Sequence, residues 1–351
     1  MRYFYLFILL SVLPFCLDAQ SCLPGGITFL DQAQVDNFIQ NNPGCRQIEG
    51  SVYFLQSDVT NVDSLLHITR IGGDLLINGN ENLENLHGLA SLQSVGGAMR
   101  IQNNNALRKL DGLENFKRAE GDFFYIGSNP LLNSLEGLSS LDTVAGIFQV
   151  WAHDSLTDLR GLENLRSVGD AFAVFNNGHL GSLTGIEGLT HVGGDLRINN
   201  NLTLTDISAL DHPVQIEGAL SINDNVLLSD CVVDAVCSYL AAPSTFAAIN
   251  NNASGCADEA EVGTACLLIS TGEAAPAQTV RLFPNPTAAI VNIAADGFQI
   301  EKISLYDLTG RSVLSTKNTN NQIDLSGLPA GFYQVAITGK NRMVVRSLVK
   351  Y

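Results

Sequence analysis

Positive charge is scarce in this chain: 19 Lys and Arg face 35 Asp and Glu across 351 residues, a formal net charge of −16. That deficit excludes nucleic acid as a partner, because phosphate binding needs clustered Lys and Arg. Charge of either sign is sparse at 15%, whereas 46% of residues are hydrophobic, which describes a chain that buries a core and is not disordered. Cysteine is missing from the 185 residues between Cys45 and Cys231. No Cys-x-x-Cys occurs and no His adjoins a Cys, which excludes the common zinc and redox motifs. HExxH, a Ser-His-Asp order and a paired-carboxylate motif are also missing. Neither a cofactor nor a metal is expected. Beyond the first 20 residues no apolar run is long enough to span a bilayer.

The one long apolar run opens the chain. "MRYFYLFILLSVLPFCLDAQ" carries Arg2, then Tyr3 to Leu17, then the small residue Ala19. It reads as a signal peptide over 1–19, cut before Gln20. Neither Cys16 nor Cys22 follows a lipobox. Six cysteines remain after cleavage: Cys22, Cys45, Cys231, Cys237, Cys256 and Cys266. An even number in an exported chain predicts disulfides, here one pair early and four cysteines late, like staples at two ends of an elongated body.

What is abundant is glycine, 32 residues, and it recurs on a period. "IEGSVYFLQS" starts at 48, "IGGDLLINGN" at 71, "VGGAMRIQNN" at 95 and "AEGDFFYIGSN" at 119. "VAGIFQVWAH" follows at 144, "VGDAFAVFNN" at 168, "VGGDLRINNN" at 192 and "IEGALSINDN" at 216. The spacings are 23, 24, 24, 25, 24, 24 and 24 residues, the mark of a solenoid whose units bury their faces against one another. A nucleotide-binding glycine cluster would occur once and be followed by Lys-Ser or Lys-Thr; neither condition holds.

Each unit divides into separate jobs. The small residues suit a tight corner, through positive φ or close approach of coils. Positions 5 and 7 alternate as inward strand residues, Leu75 and Ile77 for example, and positions 6 and 8 point out. Leucines then recur at every third residue, as in Leu83, Leu86, Leu89 and Leu92. Position 10 is Asn80, Asn104, Asn177, Asn201 and Asn225, with Asn129 joining if the 25-residue unit carries one inserted residue. These asparagines predict a buried ladder bonding free backbone groups of successive coils. His153 breaks the series, and of the two glycosylation sequons, at Asn201 and Asn252, the first falls on the ladder.

The outward rows are where a ligand could be read. Leu76, Asn78, Arg100 and Gln102 precede, in this register, Phe124 and Ile126, then Gln149, Trp151, Ala173, Phe175, Arg197 and Asn199. The middle turns are aromatic and their flanks polar. We therefore expect a binding patch built from Phe124, Ile126, Gln149, Trp151 and Phe175, with Arg100 and Arg197 at its margins. The inserted residue makes Phe124 the weakest member, since Phe123 and Tyr125 are its inward counterparts in this register. His153 and His179 lie one coil apart near Asp154, an arrangement that solvated turns produce without chemistry.

The repeats resemble the receptor L-domain and, more loosely, leucine-rich repeats, over roughly residues 22–266. The resemblance rests on "ITFLDQAQVDNFIQNNPGCRQIEGSVYF", on "GLENL", "GLSSL" and "GIEGL", and on the Cys-rich end "CVVDAVCSYL…NNASGCADEAEVGTAC". It implies a right-handed β-solenoid of about eight coils over 48–230, with caps at 20–47 and 231–267. Phe29, Val35, Phe38 and Ile39 would close the first end, stapled by Cys22 and Cys45. Analogy with leucine-rich-repeat caps implies Cys231–Cys256 and Cys237–Cys266, although four cysteines permit three pairings. Fold transfers by such a resemblance better than ligand does.

A Pro-containing linker over 268–280 leads to alternating apolar segments joined by Gly turns, the pattern of a small Ig-like β-sandwich over 281–351. This tail resembles the type A C-terminal sorting domain of the type IX secretion system. The resemblance is carried by "LFPNP" with Pro284, Asn285 and Pro286, "LYDLTGR" with Gly310, and "IDLSGLPAGFYQVAI" with Gly331 and Tyr333. It implies a Gram-negative source, passage through the periplasm and outer membrane by that machinery, and a product secreted or held at the outer surface. Charge separates the parts: 10 basic against 29 acidic residues from Gln20 to Ser270, but 8 against 4 from Arg281 to Tyr351. The expected function is non-catalytic binding or adhesion to an extracellular protein or glycan. A rigid surface-layer spacer and a β-helix polysaccharide-active enzyme are the alternatives.

Overall fold

The computed structural model describes residues 21–56, 58–242, 246–270, 280–283, 285, 287–295, 300–307, 311–317, 321–339 and 343–351. The expected signal peptide, most of the linker, Pro284, Pro286 and Gly310 lie outside the described residues. The chain divides into two compact units, Met1–Leu267 and Leu268–Tyr351.

The first unit is a stack of coils with a parallel sheet on each of two sides. The longer sheet has ten strands and runs, from one end, Ile27–Phe29, Val52–Leu55, Leu75–Asn78, Met99–Gln102, Phe123–Gly127, Ile147–Trp151, Phe172–Phe175, Leu196–Asn199, Leu220–Asn223 and Ala247–Asn250. The other has nine two-residue strands, from Ser21–Cys22 to Gln215–Ile216. On the third side, turns closed by hydrogen bonds to the third residue back, such as Leu89 N–H to Leu86 O (2.8 Å) and Leu92 N–H to Leu89 O (2.8 Å), bring every third residue inward. Hence Leu83, Leu86, Leu89 and Leu92 are all fully buried. Inside the longer sheet Phe124, Phe148 and Phe172 stack face to face, with centroids 5.0 and 5.4 Å apart.

The asparagines form a ladder at the corner after each long strand. Asn201 Nδ2 donates to Val174 O (3.0 Å), while its Oδ1 accepts from Asn177 N–H (3.1 Å) and Asn177 Nδ2 (3.2 Å). Asn80, Asn104, Asn129, Asn177 and Asn225 are likewise fully buried. Asn252, noted in the sequence only as a sequon, extends the ladder: its Oδ1 accepts from Asn225 N–H at 2.9 Å. His153 occupies its rung as well, fully buried, with Nε2 3.3 Å from Ile126 O and Nδ1 3.1 Å from Asn129 O. A neutral imidazole has one N–H, so it can donate to only one of these two carbonyls. Burial nevertheless holds its pKa below the ordinary histidine value, against the raising effect of both carbonyls and of Asp154.

Two expectations about the corners change. The glycines before the long strands are there for close approach: a Cβ on Gly193 would lie 2.2 Å from Gly169 O. Positive φ belongs to the residue after the strand, at Asn103, Ser128, Ala152, Asn176, Asn200 and Asp224. The inserted residue of the 25-residue unit also falls earlier than the sequence reading put it. Val95 pairs with Ala119, but Met99 pairs with Phe124, so the extra residue sits in the corner before the strand. Arg70 bridges to this corner, reaching Glu120 through two 2.8 Å hydrogen bonds and thereby holding that carboxyl below its ordinary pKa.

Short helices cover both ends. Phe29, Val35 and Phe38 close the first, whereas Ile39 is 44% exposed and takes no part in the core. Asp31 caps the opening helix by accepting from Gln34 N–H at 2.8 Å. At the other end, helix Asp234–Ala241 buries Ala235, Val236 and Tyr239, and helix Glu259–Ser270 buries Val262 and Cys266. Disulfides join Cys22 to Cys45, Cys231 to Cys256, and Cys237 to Cys266.

Both sheets of the second unit are antiparallel. Its three-stranded sheet is ordered Val280–Phe283, Ile290–Ala295, Gln322–Asp324; its four-stranded sheet Ser312–Lys317, Ile300–Tyr306, Gly331–Gly339, Met343–Lys350. Both contribute to one core that includes Val291, Ile323, Ile303, Val335 and Leu348. Asn285 clasps the last strand: Nδ2 donates to Ser347 O and Oδ1 accepts from Val349 N–H, both at 2.9 Å. Tyr333 Oη donates to Pro329 O (2.7 Å), a tether of the tyrosine-corner kind seen in sandwiches.

Candidate functional site

Strand alternation leaves two rows of side chains on the outer face of the longer sheet. One row runs Arg100, Tyr125, Gln149, Ala173, Arg197, Ser221, and the other Gln102, Gly127, Trp151, Phe175, Asn199, Asn223. Phe124 and Ile126 belong to neither. Both are fully buried, because the inserted residue precedes their strand and shifts its alternation by one. Phe123, Tyr125 and Gly127 take the outer positions instead, which corrects the patch expected from the sequence.

The aromatic residues therefore form two separate pairs. Phe123 and Tyr125 stack at 4.8 Å, and the Arg100 guanidinium lies 4.5 Å from the Phe123 ring centroid. That cation–π contact adds about 0.5–1 kcal/mol and holds Arg100 against its own sheet. Trp151 and Phe175 stack across neighbouring strands, 5.9 Å apart and only 4° from parallel. The Trp151 indole lies over Gly127, where a Cβ would come within 2.2 Å of it. A gap in one strand thus seats the single tryptophan of the chain.

A second gap stays open. At Ala173 the outer row drops to a methyl group, leaving a shallow depression of ≈ 240 Å³ lined by Gln149, Ala173, Phe175, Asn176, Arg197 and Asn199. Arg197 is tied to Asp195, whose carboxyl also accepts from Ala219 N–H (2.7 Å) and, mainly through that bond, is held below its ordinary pKa. Asn199 Oδ1 accepts from Ser221 Oγ and Asn223 N–H, each at 3.0 Å. Asn176 Oδ1 accepts from Asn200 Nδ2 at 2.6 Å. Gln149, Phe175 and Arg197 thus line one depression, Trp151 stands beside it through its stack on Phe175, and Arg100 is held two strands from Gln149.

Sequence reasoning placed Ala173 and Asn199 outward but gave them no part in binding, and Asn176 was not considered. A small residue between two long ones in an outward row was the available signal. His153 turns into the core and His179 is exposed, so the two form no common site. Among the described residues no group of three His, Cys, Asp or Glu is placed to hold a metal ion, and no helix is long and apolar enough to cross a membrane.

Comparison with known proteins locates two similarities. No curated protein matches the chain. Residues 281–351 match the family model described as the secretion system C-terminal sorting domain, which supports export through the type IX route and interaction with its machinery. Such a tail indicates secretion or attachment at the outer surface. Residues 44–134 match the receptor L domain, and both are non-catalytic kinds of domain, the second of which suggests a binding role.

Proposed function

We propose that this chain is a non-catalytic binding protein, delivered to the cell exterior by its C-terminal unit, that engages an extracellular protein or glycan through the outer face of the longer sheet. The observation that carries the reading is the half-buried, parallel Trp151–Phe175 pair beside the depression over Ala173. Stacked aromatics next to polar groups of fixed orientation are the composition of a recognition surface, not of a merely solvated one. A rigid spacer would have no use for them.

The test compares Trp151→Ala and Phe175→Ala with the parent chain for binding to cells and to a glycan array, with far-UV circular dichroism confirming the fold. Loss of a binding signal in either folded variant supports the reading. Unchanged profiles in both would leave the body as a spacer.

A further inference from the structure

Resting on that binding face, we propose that its ligand is a neutral carbohydrate, one sugar ring of which sits over Ala173 between Gln149 and Arg197. The argument begins with charge. The one cation at the depression, Arg197, is compensated by Asp195 of its own strand corner through Nε (3.2 Å) and Nη2. The site therefore offers an anion no uncompensated charge, and the surrounding body carries 29 acidic against 10 basic residues. Sulfated or uronate-rich polymers, anionic lipids and nucleic acid are repelled by such a surface.

Polarity comes next. Asn199 and Asn176 have their amide oxygens engaged by neighbouring coils. Among the described residues their Nδ2 groups have no partner, and neither has the Gln149 amide. The depression thus presents oriented amide donors, an adaptable amide with both a donor and an acceptor, and the guanidinium edge of Arg197. Sugar hydroxyls, each both donor and acceptor, match that set. Phe175 supplies the apolar wall against which the C–H face of a pyranose packs, and the Ala173 methyl the floor.

Size agrees with this. Gln149 and Arg197 stand two strands apart, about 9.6 Å at the usual parallel spacing, room for one sugar ring with its substituents. A protein partner needs about 800 Å² of complementary surface on each side, with a desolvated apolar centre. Here the apolar lining is the Phe175 ring and the Ala173 methyl; the next residues along the two rows are polar on one side, Ser221 and Asn223, and aromatic on the other, Tyr125 and Trp151, a strip far short of that area.

The experiment uses the chain from Gln20 to Tyr351 in affinity electrophoresis through gels containing mannan, dextran, laminarin, xylan, heparin or polygalacturonate. Binding is then titrated by isothermal titration calorimetry. Retardation by at least one of the four neutral polymers, unchanged between 50 and 500 mM NaCl, is expected. Filling the depression with Ala173→Trp should weaken that binding at least tenfold, as should Phe175→Ala, which adds no bulk. Retardation by none of the neutral polymers, or only by heparin or polygalacturonate, overturns the proposal. If Ala173→Trp abolishes attachment to cells whose surface glycans have been enzymatically removed, the face docks a protein: the carbohydrate proposal falls and the binding face stands. If both variants bind everything as the parent does, both readings fall together.

Discussion

Replacing Asn201 by Ala would test whether the buried ladder holds the coils together. The substitution removes Oδ1, which accepts from Asn177 N–H and Asn177 Nδ2, and Nδ2, which donates to Val174 O. Asn177 Nδ2 keeps its bond to Val150 O, and Asn225 Oδ1 keeps the Asn201 N–H. Val174 O keeps its ladder bond from Asn199 N–H, so one backbone group, Asn177 N–H, is left without a partner in a fully buried corner. At about 1–3 kcal/mol for the orphaned N–H, and about 1 kcal/mol for the lost bond to Val174 O, the expected loss is roughly 2–4 kcal/mol. That is a large share of the 5–15 kcal/mol by which domains are generally stable. Because a solenoid coil touches only its neighbours, the damage should be local. Native-state hydrogen exchange should accelerate by two or more orders of magnitude in the coils bearing Val174, Asn177 and Asn201, and little near Cys22 and Cys45. Urea unfolding gives the energy and exchange gives its place. A loss below about 1 kcal/mol, or protection lowered evenly to both ends, would refute the ladder as the source of coil-to-coil cohesion.

Four further outcomes are expected. Phe124→Ala should cost about 3–5 kcal/mol by chemical denaturation, as a fully buried phenylalanine does, and Phe123→Ala under about 1.5 kcal/mol; the reverse order would restore the register first read from the sequence. His153→Asn should remove a pH dependence. Burial holds the folded-state pKa of His153 below its unfolded value, so the unfolded chain takes up a proton first as pH falls below about 6.5. The stability contributed by the neutral ring is complete above that pH and is lost toward acid at up to about 1.4 kcal/mol per pH unit; urea melts of both chains at pH 7.5 and 5.5 should diverge at the lower pH. Ala152 holds φ 55°, the region that Asn103, Asn176, Asn200 and Asp224 occupy on other coils, so Ala152→Asn should gain up to about 1 kcal/mol in a thermal or urea melt. Deleting residues 281–351 should strand the protein in the periplasm by cell fractionation, and normal export of the shortened chain would contradict the role given to the tail.

The parts of the fold that repeat were legible in the sequence for a physical reason. Each coil solves the same burial problem, so the Leu triplets and the Asn rungs had to return on one period. What escaped were the departures. The strand Phe123-Phe124-Tyr125-Ile126 is apolar on both faces, so hydrophobic alternation could not say where the extra residue lay; its neighbours Met99 and Phe148 decide it by pairing with Phe124. His153 looked like a break because its side chain is not an amide, yet Nε2 stands near Ile126 O much as Nδ2 of Asn177 stands near Val150 O. Asn252 was hidden because helix Asp234–Ala241 intervenes and stretches the last pairing to 27 residues, Leu220 to Ala247. At the candidate site, Trp151 and Phe175 could be read as outward, but the depression could not. It exists only because two long side chains from other coils flank Ala173.

The corner that carries the extra residue has a meaning for how such chains diversify. A one-codon insertion inside most strands would turn core side chains to solvent and be eliminated. Between Ala119 and Phe124 the extra residue leaves a filled core, because the strand that follows is apolar on both faces and buries Phe124 and Ile126. The extra residue sets which of those faces is shown to the outside and aligns Gly127 with Trp151, under whose indole it lies. A locus of this kind lets a lineage try a new display in one mutational step while its folding remains intact.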